Sequence, residues 1–375
     1  MKIAALKENR PGETRVALVP DLVAKLAALG YDVTIEPGAG ADALLSDADY
    51  TGAGATVTPT AADDADVVVS VQPPDEAVVR RLKRGATTIS FLPAQASLPL
   101  VSLLQQSGLT SFAMELIPRI SRAQSIDALT SQSLVSGYRC AIVAAEHLRR
   151  FFPLSMTAAG TVPPAEVLVL GAGVAGLQAI ATAKRLGAVV RAYDVRPSSA
   201  EEIASMGAHP IDLELETLEG AGGYAREMTE DRAERQRQLL TPYVAAADAL
   251  ITTAAVPGRQ APRLVTTQMV EQMPPGSVVV DLAADTGGNV EGSRPGETVR
   301  IGHAQVWGGS NVPAQMPGPA SRLYAQNVVN LISLMTADGR FAPDFEDEVV
   351  AASCVTHAGD VLHAPTRELL ERESQ

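Results

Sequence analysis

The stretch Glu166–Pro197, EVLVLGAGVAGLQAIATAKRLGAVVRAYDVRP, leaves few folds open. Val167–Leu170 is apolar and short enough for a buried strand. Gly171, Gly173 and Gly176 follow at G-x-G-x-x-G spacing, and helical spacing then runs from Val174 to Leu186 until Gly187 stops it. A second β-branched run, Ala188–Tyr193, ends on Asp194. Each segment has a chemical reason. Gly171 permits the tight turn out of the strand, Gly173 lets a pyrophosphate approach the backbone, and Gly176 lets the helix lie close to the strand. The free N–H groups at the helix start, from Val174 and Ala175 onward, and the positive end of the helix dipole face the phosphates. Asp194 stands about 20 residues on, where a carboxylate accepts both ribose hydroxyls of an adenosine. Arg196 borders the same ribose. A 2′-phosphate there would meet the charge of Asp194, which favours NAD over NADP.

Glycine spacing alone is a weak signal. The strand before it, the helix after it and the acid closing the next strand make it a dinucleotide site. Two other readings compete, a glycine-rich packing motif and a membrane span. Val167–Ala183 carries no charge, but it contains three glycines and a glutamine and is shorter than the roughly 20 apolar residues a span needs.

The remaining sequence fits an α/β protein of roughly two or three domains. From Met1 to Glu115 short apolar strands alternate with helical segments, which is the pattern of a parallel sheet covered on both faces. This opening region has no glycine fingerprint. From Asp127 apolar residues recur at helical spacing through Leu134, Tyr138, Ala141, Ala145, Leu148 and Phe152, predicting a long helix that ends before Pro153. The architecture expected is two doubly wound Rossmann-like domains joined by a long bridging helix. The first takes residues 1–126 plus 312–375, and the second residues 127–311, bridging helix included. Residues 222–240 open on Gly222-Gly223-Tyr224 and continue with many charges, which reads as a lid loop feeding a solvated helix.

Composition narrows the function. The net charge of −13 argues against nucleic acid or anionic lipid as a partner, because either needs a basic face. No N-terminal signal pattern precedes the first strand-like run, and no other stretch approaches a membrane span. Cys140 and Cys354 lie far apart without metal-ligand spacing and read as reduced thiols of a cytoplasmic protein; no metal site is expected. The five histidines show no triad spacing, and Arg15 reads as a structural loop arginine rather than a ligand for a substrate carboxylate.

Several stretches coincide with a known family: RPGETRVALVP, ISFLPAQ, PRISRAQSIDALTSQ, VLVLGAGVAGLQAIATAKRLGA, YDVRP, GGYAREM, ITTAAVPGR, DLAADTGGN and NVPAQMPGPASRLYAQNVVNLI. Together they cover nearly the whole chain. The sequence resembles the NAD(H)-binding alpha-1 component (domain I) of proton-translocating nicotinamide nucleotide transhydrogenase, within the alanine dehydrogenase/transhydrogenase superfamily. The resemblance implies NAD(H) on this chain, NADP(H) on a partner subunit, and direct hydride transfer between them, coupled to proton translocation by a transmembrane subunit. It also implies a homodimer, no direct membrane insertion, and a cytoplasmic location attached peripherally to the inner membrane through the partners. By the same resemblance Arg119 and Asp127 hold the carboxamide or nearby groups at the nicotinamide end. Gln124 reaches toward the partner's nucleotide, and Tyr224, hinged on Gly223, closes over bound NAD(H). The family has Ser-Ser where this chain has Thr130-Ser131, so either hydroxyl, with Ser131 preferred, is the one beside the cofactor.

Alanine dehydrogenase is the rival. It needs a lysine beside the substrate carbonyl and a histidine to move a proton. Those places read VVVSVQPP and SFLPAQ here, with Ser70, Gln72, Pro93 and Gln95. Imine reduction requires proton transfer, whereas hydride exchange between two nicotinamides does not. A non-catalytic NAD-sensing module is the third reading.

Overall fold

A computed structural model of the chain describes residues 1–215, 230–255 and 258–373. The chain divides into two compact units, Met1–Gln132 with Ala314–Gln375, and Ser133–Pro313. The division therefore falls inside the bridging helix and just after Pro313, slightly later at both places than 126/127 and 311/312.

The first unit opens with six parallel strands, β1 (Lys2–Ala5), β2 (Asp32–Ile35), β3 (Thr56–Val57), β4 (Val67–Val69), β5 (Thr87–Ser90) and β6 (Thr110–Ala113). Their spatial order is β3-β2-β1-β4-β5-β6, so the winding reverses between β1 and β4. Alternate side chains serve opposite faces. Ile3, Ala5, Val67 and Val69 join one core, while Ala4 and Val68 join the other. The connecting helices are α1 (Pro20–Ala28), α2 (Asp47–Gly52), α3 (Glu76–Val79) and α4 (Leu98–Gln106). The helical segment expected near Ala41–Tyr50 is split. A 3-10 turn, Ala41–Ala43, ends at Leu44 with φ +62°, and α2 restarts under a capping box between Ser46 and Asp49.

Helix α5 (Ala128–His147) carries the chain from the first unit into the second. It stops earlier than Pro153. Arg150 instead pairs with Asp248 at 2.8 Å, and the Phe152 carbonyl accepts from Ala165 N–H, so this segment serves the second unit's sheet. The helix face also differs from the expected one. Leu134 and Tyr138 are exposed, and Cys140, Val143 and Ala144 are buried.

The second unit begins with a hairpin that the sequence pattern does not announce, β7 (Ser155–Thr157) and β8 (Gly160–Val162). Its main sheet holds β9 (Glu166–Leu170), β10 (Val189–Tyr193), β11 (His209–Pro210), β12 (Ala249–Thr252), β13 (Val278–Asp281), β14 (Thr298–Ile301) and β15 (Ala304–Gly308). The order is β11-β10-β9-β12-β13-β15-β14, parallel except for the β14/β15 pair, and the winding reverses between β9 and β12. Val167 and Val169 face one core and Leu168 and Leu170 the other. Helices α6 (Val174–Arg185), α7 (Ser199–Ser205), α8 (Glu230–Ala246) and α9 (Thr267–Glu271) belong to this unit. Of α8, only Gln236, Leu240 and Val244 are buried, which makes the charged run a solvated face as expected.

The chain then returns to the first unit. Helix α10 (Pro317–Leu334) buries Tyr324, Val328, Val329, Leu331 and Ile332 in its core, and α11 (Glu348–Ser353) leads into a strand, Cys354–His357, antiparallel to β6. Both cysteines are buried and unpaired, and burial pushes each thiol up to about 12.

Candidate dinucleotide site

The glycine turn sits at the carboxyl end of β9, at the switch point where ligands of open α/β sheets bind. Gly171 has φ +101°, and a Cβ there would lie 2.7 Å from Thr253 Oγ1. Its N–H donates to the Tyr193 carbonyl at 2.8 Å, and Thr253 Oγ1 donates to its carbonyl at 3.2 Å. A Cβ on Gly176 would fall 1.9 Å from the Gly171 carbonyl oxygen, so the helix-to-turn contact requires glycine. Gly173 is different. It caps α6 with φ −71°, and nothing lies within 4 Å of the position of its missing Cβ. Its value is open space above the N–H groups of Val174 and Ala175, which start α6. Gly137 on α5 gives no signal in the sequence, yet a Cβ there would meet the Ala175 carbonyl oxygen at 2.0 Å. Glycine at 137 lets α5 lie against the start of α6.

Asp194 follows β10. One of its oxygens accepts from Ala172 N–H at 2.7 Å, and the other accepts from Arg196 N–H and Nε at 2.9 Å each. Arg196 is thus paired with Asp194, and both side chains are largely buried.

Two buried residues without a sequence signal shape the neighbouring loops. Asp281 ends β13 fully buried, accepting from Thr252 Oγ1 and from the N–H groups of Ala283, Asn289 and Val290 at 3.1–3.2 Å. Asn289, also fully buried, accepts from Ala254 N–H at 3.0 Å and donates to the Ala254 and Pro262 carbonyls at 2.8 Å each. The loop after β12 is therefore clamped by the loop after β13. A D-x₇-N spacing between two buried polar groups is too common to be read from sequence.

The RAQSID residues belong to the first unit. Arg119 and Gln124 are exposed. Asp127 caps α5, accepting from Thr130 N–H at 2.9 Å and Thr130 Oγ1 at 2.7 Å. Ser131 Oγ bonds Asn327 Oδ1 at 2.7 Å. Both hydroxyls left open by the sequence thus have partners inside the unit. Gly223 and Tyr224 lie outside the described residues.

The region where the rival chemistry would sit is the switch point between β1 and β4, in a cleft lined in part by Glu8, Ser70, Gln72 and Pro73. Arg15 is buried and forked onto Glu13, with Nη1 on Gln132 Oε1 at 2.9 Å, a structural arginine as expected. Gln72 Nε2 donates to Glu13 at 2.8 Å. Glu8, in a polar loop of the sequence, proves to be an interior group. Burial pushes its carboxyl up to about 7, although Val71 N–H (2.6 Å) and Gln72 N–H (3.2 Å) both donate to it. Among the described residues no group of His, Cys, Asp and Glu could hold a metal ion, and no helix is long and apolar enough to cross a membrane.

A parallel sheet with the glycine turn at its switch point and an acid closing the next strand defines a Rossmann-type unit, here accompanied by a second doubly wound unit without that turn. The chain belongs to the alanine dehydrogenase/PNT family: residues 4–136 match its N-terminal domain and residues 140–364 its C-terminal domain. It is 47% identical to the separately encoded first segment of the NAD(P) transhydrogenase alpha subunit of Rhodospirillum rubrum, over 97% of this chain and 98% of that one. It is 32% identical to alanine dehydrogenase of Mycolicibacterium smegmatis, over 96% and 95%. The crystal structure of transhydrogenase from Sinorhizobium meliloti superposes with a TM-score of 0.87 at 42% identity, covering 97% of this chain and all of that one.

Proposed function

We propose that this chain is the NAD(H)-binding component of a proton-translocating transhydrogenase. Hydride passes directly between NADH bound here and NADP+ bound on a partner subunit, and a transmembrane partner couples the transfer to proton movement. The observation that carries this reading is the end-to-end likeness to the Rhodospirillum rubrum subunit, at 47% identity against 32% for the alanine dehydrogenase. The chemistry agrees. Ser70, Gln72 and Pro93 supply no proton donor for imine reduction, and both oxygens of Glu8 accept from the backbone at the end of β4.

In this reading Gly171, Gly173, Gly176 and the N–H groups of Val174 and Ala175 receive the pyrophosphate, and Asp194 takes the adenosine ribose with Arg196 beside it. Arg119, Gln124, Asp127 and Ser131, with Tyr224 and Gly223, serve the nicotinamide end. Asp127 would exchange its Thr130 contacts for a ligand, or act by fixing the start of α5. Hydride transfer needs the two nicotinamides aligned at roughly 3–3.5 Å, so the protein's contribution is positioning. The chain would work at the cytoplasmic face of the inner membrane, attached through its partners and paired with a second copy. Exposed Phe151, Leu154, Met156 and Val162, in and beside the β7–β8 hairpin, offer an apolar face for that pairing.

The test mixes the chain with an NADP(H)-loaded partner subunit and follows hydride transfer to an NAD analogue. Transfer only when both proteins are present is expected, and its absence overturns the proposal. Turnover of pyruvate with NADH and ammonia by the chain alone would favour a dehydrogenase instead.

A further inference from the structure

We propose that Arg122 is a positioning residue for hydride transfer, acting through a brace that fixes the backbone on both sides of Gln124. The inference rests on the function proposed above.

Gln124 is exposed, but the segment that carries it is tied down within the first unit. On its N-terminal side Arg122 forks onto Asp347, Nη1 to Oδ2 at 2.8 Å and Nη2 to Oδ1 at 2.9 Å. Such a two-pronged pair fixes direction as well as distance. Asp347 is itself immobilised as the N-cap of α11, where Oδ1 accepts from the N–H groups of Val349 at 2.8 Å and Val350 at 3.4 Å. On the C-terminal side the Ser125 carbonyl accepts from two amides of α10, Asn327 Nδ2 and Asn330 Nδ2, each at 2.9 Å. The two asparagines are three apart and so share a helix face. Beneath, Ala123 and Ile126 are sunk in the core. Residues from the C-terminal return of the chain thus grip the segment immediately before and after Gln124, and leave its side chain outside.

The Arg122–Asp347 pair is a poor device for stability. Arg122 is 46% exposed, and exposed ion pairs add little to a fold. The fork's geometry, two donors matched to two oxygens on an anchored carboxylate, is instead suited to holding a loop in one place. A side chain that approaches the partner's nucleotide needs such a hold, because small misplacements slow a transfer strongly.

The experiment uses the full chain with its NADP(H)-loaded partner. It compares Arg122→Gln, Asp347→Ser and Arg122→Lys with the unmutated chain; Asp347→Ser keeps an oxygen to cap α11. Single-turnover transfer at saturating NADH and partner is expected to fall about ten-fold in Arg122→Gln and Asp347→Ser, and less in Arg122→Lys, which keeps the charge without the fork. The double variant Arg122→Gln/Asp347→Ser is expected to be no slower than either single, as for two members of one contact. NADH affinity and melting temperature should stay close to those of the unmutated chain. Unchanged transfer in both single variants overturns the inference. So does a slower transfer that tracks a parallel loss of NADH affinity and melting temperature, which would mark the pair as structural only. If the unmutated chain transfers no hydride, the functional proposal itself fails and takes the inference with it.

Discussion

The Asp194 carboxylate and the Ala172 backbone N–H meet at 2.7 Å, which ties the end of β10 to the glycine turn after β9. Ribose recognition and phosphate recognition are therefore mechanically one element. The same carboxylate holds Arg196, whose guanidinium would otherwise be available to a 2′-phosphate. Asp194→Ala is expected to weaken NADH binding by roughly 1–3 kcal/mol. It should weaken NADPH binding less, so that the preference for NADH narrows. Fluorescence titration with both nucleotides measures this, and equal losses for the two would remove Asp194 from the specificity argument.

The fingerprint glycines are expected to separate by mechanism. Gly176→Ala drives a methyl group into the Gly171 carbonyl, and overpacking against backbone should cost roughly 3 kcal/mol of stability. Gly173→Ala meets no protein atom and should cost less than about 1 kcal/mol, while still weakening NADH binding. Urea unfolding alongside NADH titration distinguishes them. A stable Gly176→Ala variant with normal NADH affinity would contradict the packing role.

Asn289→Ala leaves the Ala254 N–H and the Ala254 and Pro262 carbonyls without their partner. The expected loss of stability is about 1–3 kcal/mol. Because the released loop follows β12 beside the glycine turn, NADH affinity should fall as well. Calorimetry of binding compared with unfolding checks whether the two losses occur together.

Glu8 makes stability depend on pH. Its carboxyl is raised from 4.5 to about 7 by burial, so the folded chain holds this proton more tightly than the unfolded chain. The contribution is complete below about 4.5 and is lost as pH rises through 7. Stability is expected to decline across that window, and Glu8→Gln should flatten the slope. Urea midpoints from about pH 4 to about pH 8 for both proteins provide the measurement, and identical slopes would show that Glu8 does not titrate there.

Gln124→Asn and Tyr224→Phe are expected to slow transfer at saturating NADH more than they weaken NADH binding, since the glycine turn and Asp194 secure the other end of the nucleotide. Single-turnover rates and separately measured affinities decide it. Loss of affinity with transfer at the unmutated rate would make both residues binding groups only.

The strand–turn–helix–strand element is legible in the sequence because its glycines carry steric requirements that local spacing reveals, and Gly176 and Gly171 meet those requirements against each other. The alternation in β1, β4 and β9 is equally plain, since neighbouring residues such as Val167 and Leu168 face opposite cores. What escapes such a reading depends on distant partners. Gly137 answers to Ala175, Arg122 to Asp347, and Ser131 to Asn327, and no local pattern records such pairs. The buried face of α5 departs from expectation for a related reason. Leu134 and Tyr138 have helical spacing, but Cys140, Val143 and Ala144, smaller and less hydrophobic in appearance, are the ones the second core takes.

The return of α10 to the first core also fixes an order of events during synthesis. Tyr324, Val328, Val329, Leu331 and Ile332 complete the core that Ile3, Val23 and Leu26 begin. The ribosome delivers them only after the whole of Ser133–Pro313 has emerged. Nascent domains usually close from the N-terminus onward. Here the uninterrupted second unit is the one able to close first, while the opening strands wait with one face bare for the far end of their own chain.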